Sequence, residues 1–239
     1  MVWKTLMQAK YCLALMFVSL AGCGTGAAPP AAADSTASAG APDAPPTVPA
    51  ILVVGTSLTA GLGVDPSDAW PAVLQRKIDS AGLTLRVVNA GVSGETSAGA
   101  LRRVDWLLER EHPAVFILET GGNDGLRGLD PDSLEANILA IFARAMSITP
   151  APALVLMAME SPPNLGDRYT RAFRAAYPAA ATAAGATLVP FFLAGVAGVD
   201  SLNQPDGIHP TPRGHAMAAA NAWKELEPVL RKVTASQLP

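Results

Sequence analysis

Cysteine is almost missing from this chain of 239 residues: Cys12 and Cys23 are the only two. Both stand near the N-terminus, so the rest of the chain can hold neither a disulfide nor a cysteine metal site. Histidine is nearly as scarce, and the three present form no cluster with metal-ligand spacing. Positive charge is thin, with 17 lysines and arginines against 20 acidic residues and no basic run. An acidic chain of that kind is a poor partner for nucleic acid. The P-loop pattern and internal repeats are absent too, which excludes that mode of nucleotide binding and the repeat architectures. The apolar stretch from Tyr11 to Leu20 falls short of the about 20 residues needed to cross a bilayer.

What the N-terminus does contain is Lys4 and Lys10, then that short apolar stretch, then Leu20-Ala21-Gly22-Cys23. A basic region, an apolar core and a small-residue site are the parts of an export signal. The last four residues resemble a bacterial lipobox, whose cysteine is lipidated and becomes the mature N-terminus. Residues 1–23 are therefore expected to be a lipoprotein signal peptide with Cys23 as the lipidation site; a plain signal peptide with an incidental cysteine is the other reading. Gly24 behind that cysteine, in place of aspartate, points to a cell-envelope lipoprotein of the outer membrane facing the periplasm. Residues 24–50 are alanine, proline, glycine, serine and threonine with little large apolar content, as in a flexible linker. Residues 51–239 are long enough for one domain with a substantial core.

Within that domain, short apolar runs alternate with helical patterns. Ile51–Val54, Leu85–Ala90, Ala114–Glu119, Ala153–Ala158 and Thr187–Leu193 read as strands. Between them, Ser67 or Asp68 can cap a helix presenting Trp70, Val73, Leu74 and Ile78 on one side, and Thr96 or Ser97 one presenting Leu101, Val104, Leu107 and Leu108. Asp130 and Pro131 open a third helix, residues 167–184 form a fourth, and Thr211 with Pro212 starts a last one running through Trp223. Such alternation predicts a three-layer α/β/α domain with a parallel sheet of five strands. Ligands of these folds bind beyond the carboxyl ends of the strands, where Ser57, Gly94 and Asn123 would fall.

Ser57 follows the first strand in Gly55-Thr56-Ser57-Leu58, where a turn exposes its hydroxyl among free backbone amides. A hydroxyl becomes a nucleophile when an imidazole takes its proton and a carboxylate orients that imidazole. His112, between a charged helix end and Pro113, reads as a helix C-terminal residue, and His215 as a surface or packing residue of the last helix. His209 remains, in a loop three residues after Asp206.

Four blocks in order, Gly55-Thr56-Ser57-Leu58, Ser93-Gly94-Glu95-Thr96-Ser97, Gly121-Gly122-Asn123-Asp124 and Asp206-Gly207-Ile208-His209-Pro210, resemble the SGNH hydrolases, or GDSL esterases and lipases. Ala69-Trp70-Pro71, Val88-Asn89-Ala90, Gly125-Leu126-Arg127-Gly128 and Pro190-Phe191-Phe192 are similar to the bacterial branch of acyl-CoA thioesterase/lysophospholipases and arylesterases. The resemblance implies a flavodoxin-like sheet, Ser57 as nucleophile, His209 as base and Asp206 as its orienter. It implies an oxyanion hole from the Ser57 and Gly94 amides and the Asn123 side chain, with no metal or organic cofactor. One departure stands out: Thr56 occupies the place where the family usually carries aspartate, which bears on how firmly the Ser57 turn is held.

The walls of the acyl site are expected from Leu126 and Arg127, in a loop bracketed by Gly125 and Gly128, and from Pro162 in Glu160–Asn164. The expected activity is hydrolysis of small to medium acyl esters through an acyl-enzyme. A polysaccharide O-acetyl esterase and a non-catalytic surface lipoprotein are the alternatives. The expected partners are a small-molecule acyl ester and, through Cys23, a membrane.

Overall fold

The computed structural model describes residues 48–236. The expected signal segment, Cys23 and nearly all of the linker lie outside the described residues. Five strands form one parallel sheet in the order β2-β1-β3-β4-β5: β1 (Ala50–Gly55), β2 (Arg86–Gly91), β3 (Val115–Glu119), β4 (Ala153–Met157) and β5 (Thr187–Val189). β1 and β3 are buried along their whole length, which is why both read as unbroken apolar runs. The register pairs Val54 with Ala90 on one side and with Leu118 on the other.

Two helical layers cover the sheet. On one face α2 (Trp70–Ser80) packs against α7 (Pro212–Ala235), and on the other α3 (Ser97–Glu111), α5 (Pro131–Met146) and α6 (Asp167–Ala184) pack in sequence. Leu74 and Ile78 of α2, Val104 and Leu108 of α3, and Ile138 and Phe142 of α5 are inside. Two one-turn helices, α1 (Ser57–Ala60) and α4 (Gly122–Leu126), sit directly behind β1 and β3. Thr96, Asp130 and Thr211 cap α3, α5 and α7 through their side chains, as the sequence predicts.

Strands β2, β3 and β4 depart from expectation by one residue at one or both ends, and four further boundaries differ for physical reasons. The strand expected to start at Ile51 begins at Ala50, inside the expected linker. Neither Ser67 nor Asp68 caps α2: Asp65 Oδ1 takes both the amide and the hydroxyl of Ser67, at 2.8 and 2.6 Å, in a local turn. The cap position falls to Ala69, and the Trp70 amide donates instead to Nδ1 of His215, 3.3 Å away on α7. β5 stops at Val189 because Pro190 has no amide proton to extend the ladder. α7 runs on past Trp223 and through Pro228 to Ala235, kept in place by the buried Leu226 and Leu230.

The chain leaves β1 toward β2 on one side and returns to β3 on the other, so the sheet order reverses between β1 and β3. Loops diverge at such a point and leave a crevice at the carboxyl ends. Ser57 follows β1 and Asn123 follows β3, on the two sides of that crevice.

Candidate active site

Ser57 is the first residue of α1 and is mostly buried, with its hydroxyl facing His209. His209 Nε2 stands 2.9 Å from Ser57 Oγ, and His209 Nδ1 stands 2.7 Å from Asp206 Oδ2. Asp206 Oδ1 accepts the amides of Ile208 and His209, each at 3.0 Å, so one carboxylate shapes the loop and aligns the ring. The bond from His209 and then the two amides hold its pKa down at about 2. The structure thus brings Ser57, His209 and Asp206 into one hydrogen-bonded line.

That loop has a brace with no signal in the linear sequence. Gln204 Nε2 donates to Leu62 O at 2.7 Å, just beyond α1, and to Pro210 O at 3.0 Å. The Gln204 amide also donates to His209 O at 2.7 Å, and Asn203 Nδ2 donates to Val196 O and Val199 O. One glutamine therefore ties the His209 loop to the Ser57 turn.

Gly94 and Asn123 line the same cavity as Ser57 and His209. Gly94 lies at φ +78°, in the left-handed region that a side chain disfavours. Asn123 Nδ2 donates one proton to Glu95 O at 2.9 Å, leaving its second for the cavity. The Ser57 and Gly94 amides have no acceptor among the described residues. Around them, Arg103 grips Glu95 at 2.7 and 2.6 Å and Ala90 O at 2.7 Å. Asp124 Oδ2 accepts the Ser97 amide at 2.9 Å, which locks the Asn123 turn to the start of α3. Arg103 carried no signal in the linear sequence, and Asp124 stood in the third block without a role, because its partner Ser97 is 27 positions away.

The cavity has a volume of about 530 Å³. Leu58, Leu62, Leu126, Met159, Phe191 and Leu193 make its wall largely apolar, and Pro162 joins them. Arg127 does not line it, contrary to expectation: α4 carries Leu126 into the wall and turns the Arg127 guanidinium back to Gly94 O at 2.9 Å. Of the loop expected at Gly125 to Gly128, the first two residues are wound into α4, with Gly125 close beneath Phe173 and Ser161.

Thr56, the departure in the first block, is buried and caps α1. Its amide donates to Glu119 Oε2 at 2.8 Å, and its hydroxyl lies 3.0 Å from both Glu119 oxygens. Thr59 Oγ1 donates to the same Oε2 at 2.9 Å. Glu119 is completely buried, and that desolvation pushes its pKa up to about 7 against the pull of these donors. Its apolar strand context hid this carboxylate from the sequence reading. Among the described residues no group of three or more acidic, histidine or cysteine side chains is placed to hold a metal.

The model of the GDSL-like lipase/acylhydrolase family matches residues 53–217. Over 180 residues the chain is 44% identical to esterase TesA of Pseudomonas aeruginosa, covering 75% of this chain and 89% of that protein. It is 38% identical to thioesterase 1/protease 1/lysophospholipase L1 of Escherichia coli, covering 75% of this chain and 84% of that one. The crystal structure of TesA superposes with a TM-score of 0.72 at 43% identity, covering 75% of this chain and 99% of that chain. AlinE4, an SGNH-hydrolase family esterase, gives 0.64 at 39% identity, covering 81% and 98%. With its four blocks, its parallel sheet and these matches, the chain belongs to the GDSL-like lipase/acylhydrolase family.

Proposed function

We propose that this protein is a serine esterase that cleaves small to medium acyl esters through an acyl-enzyme at Ser57. The observation that carries the reading is the line Ser57 Oγ to His209 Nε2 to Asp206, at 2.9 and 2.7 Å, on the rim of a mainly apolar cavity. Names of the relatives, esterase and thioesterase/lysophospholipase, agree with it.

In this mechanism the acyl chain lies along Leu58, Leu62, Leu126 and Met159, with its carbonyl over Ser57. Ser57 Oγ attacks the carbonyl carbon while its proton passes to His209 Nε2; Asp206, ionised down to about pH 2, keeps the other ring proton on Nδ1 and offsets the imidazolium charge. The carbonyl oxygen becomes an oxyanion held by the Ser57 and Gly94 amides and by the free Asn123 proton. Collapse breaks the bond to the leaving alcohol or thiol, which takes the proton from His209. Water, activated by the same imidazole, then hydrolyses the acyl-Ser57 ester.

Replacement of Ser57 by alanine abolishes aryl-ester hydrolysis while leaving the melting temperature near that of the parent. Turnover retained in Ser57→Ala would refute the reading. An apolar cavity of about 530 Å³ favours a chain longer than acetyl, and so favours acyl esters over sugar O-acetyl groups.

We further propose that Cys23 carries a lipid anchor and that the linker read over residues 24–50, up to the start of β1 at Ala50, tethers the catalytic domain within the cell envelope. Leu20-Ala21-Gly22-Cys23 and the composition behind it support this. Metabolic labelling with a tritiated fatty acid tests it: the label enters the parent, and its persistence in Cys23→Ala overturns the anchor.

A further inference from the structure

Glu119 touches no reacting atom in the mechanism above, yet every hydrogen bond it receives comes from the turn that carries the nucleophile. Thr56 precedes Ser57, and Thr59 follows it by two residues; both donate to this one carboxylate. Thr59 Oγ1 also accepts from the Trp70 indole at 3.3 Å, so the same cluster reaches α2. Burying a carboxyl group is costly unless its partners satisfy it. Stability alone is served as well by an apolar side chain of equal volume.

Gly55 shows how closely the two parts approach. A β-carbon at residue 55 would collide with the Thr59 side chain and with Glu119 Oε2. Only glycine lets the end of β1 pass between the carboxylate and α1. Thr56 suits this arrangement because a hydroxyl can donate to a buried carboxylate, whereas a second carboxylate there would face it as a like charge. Its hydroxyl also accepts the Leu58 amide at 3.4 Å, so it links Glu119 to the first turn of α1. Tyr177 is the neighbouring titratable group whose pKa Glu119 helps to raise, and its hydroxyl donates to Thr120 O at 3.0 Å.

We infer that Glu119 is the positioning residue of the nucleophile, fixing Ser57 against His209 by holding Thr56 and Thr59 at either end of its turn. The inference rests on Ser57 being the nucleophile. Glu119 thereby does for the serine what Asp206 does for the histidine, from the opposite side of the site.

Steady-state kinetics on the full-length protein, with melting temperatures and the rate of Ser57 phosphonylation by a fluorophosphonate, test it. Displacing a nucleophile by about 1 Å costs on the order of 100-fold. Glu119→Ala is therefore expected to lower kcat and the phosphonylation rate by about 100-fold with KM within about threefold. Thr56→Val, which keeps the shape and the amide bond, is expected to lower both by about tenfold, and Thr56→Ser to restore them. Should Glu119→Ala not fold, the Thr56 pair decides. Lower melting temperatures with unchanged kcat would overturn the inference, as would a raised KM at constant kcat. If Ser57→Ala is inactive while the Glu119 and Thr56 variants keep full activity, the inference alone fails; if Ser57→Ala stays active, the nucleophile assignment fails with it.

Discussion

The Asn123 side-chain amide donates to the backbone oxygen of Glu95 at 2.9 Å, so the loop that offers the Gly94 amide also aims the Asn123 side chain. Two of the three proposed oxyanion donors are thereby set by one contact before substrate arrives. Asn123→Ala removes a donor that acts on the developing charge. The expected loss is about 100- to 1,000-fold in kcat with little change in KM, the usual result for one oxyanion-hole donor. Initial-rate kinetics on a nitrophenyl ester check it, and a change confined to KM would show that Asn123 only binds.

Asp206→Asn separates orientation from charge. An asparagine oxygen can still accept the Ile208 and His209 amides, but its NH₂ would face His209 Nδ1 and favour the wrong tautomer. A loss on the order of 10⁴-fold in kcat is expected, with the fold unchanged by circular dichroism. Gln204→Ala, which frees the same loop from Leu62 O, is expected to lower kcat less and to lower the melting temperature more.

Two buried titratable groups give stability opposite dependences on pH. Burial pulls the His215 pKa down to about 4 from 6.5, with the Asp68 charge opposing and His209 adding to the shift. Its Nδ1 accepts the Trp70 amide, and its buried Nε2 has no partner among the described residues. The unfolded chain binds a proton there below pH 6.5 that the folded chain refuses until about 4, so stability from this group is lost as pH falls through that window. Glu119 behaves inversely, because its pKa rises from 4.5 to about 7: stability present below pH 4.5 is lost as pH rises toward 7. The opposed slopes cancel where the windows overlap. Glu119→Gln removes one of them and leaves stability rising with pH across the overlap. Urea unfolding of parent and variant at about pH 5 and about pH 6 measures this; equal slopes in the two proteins would contradict it.

Much of this was legible in the chain because the signals were local. A strand buried on both faces leaves an unbroken apolar run, as Ile51–Val54 and Val115–Leu118 do, and caps such as Asp130-Pro131 and Thr211-Pro212 announce helix starts within two residues. Asp206 and His209 could be paired because they share one turn. Contacts made across the fold were not legible. Nothing around Glu119 distinguishes it from a polar residue ending a strand until β1 places Thr56 beside it, and Trp70 is capped by a histidine 145 positions later. Arg127 misled for a related reason: the helical turn ending at Leu126 sends adjacent side chains in different directions, so of Leu126 and Arg127 the first alone enters the cavity.

In the proposed mechanism the cavity also limits the acyl chain. Ala197 lies on its wall with an exposed side chain, so enlargement there fills the cavity without disturbing the core. Ala197→Trp is expected to leave hydrolysis of a nitrophenyl acetate near the parent rate and to reduce the octanoate at least about tenfold, since each buried methylene is worth about 0.8 kcal/mol. A uniform loss across a chain-length series would place the acyl group elsewhere.

Covalent trapping addresses most directly whether Ser57 Oγ is the atom that becomes acylated. Protein treated with a fluorophosphonate is digested, and the modified residue is located by mass spectrometry. One phosphonyl group on Ser57, absent in Ser57→Ala and formed far more slowly in His209→Ala, is the predicted result; a parent protein that hydrolyses esters with Ser57 unmodified, or with the label on another residue, would contradict it.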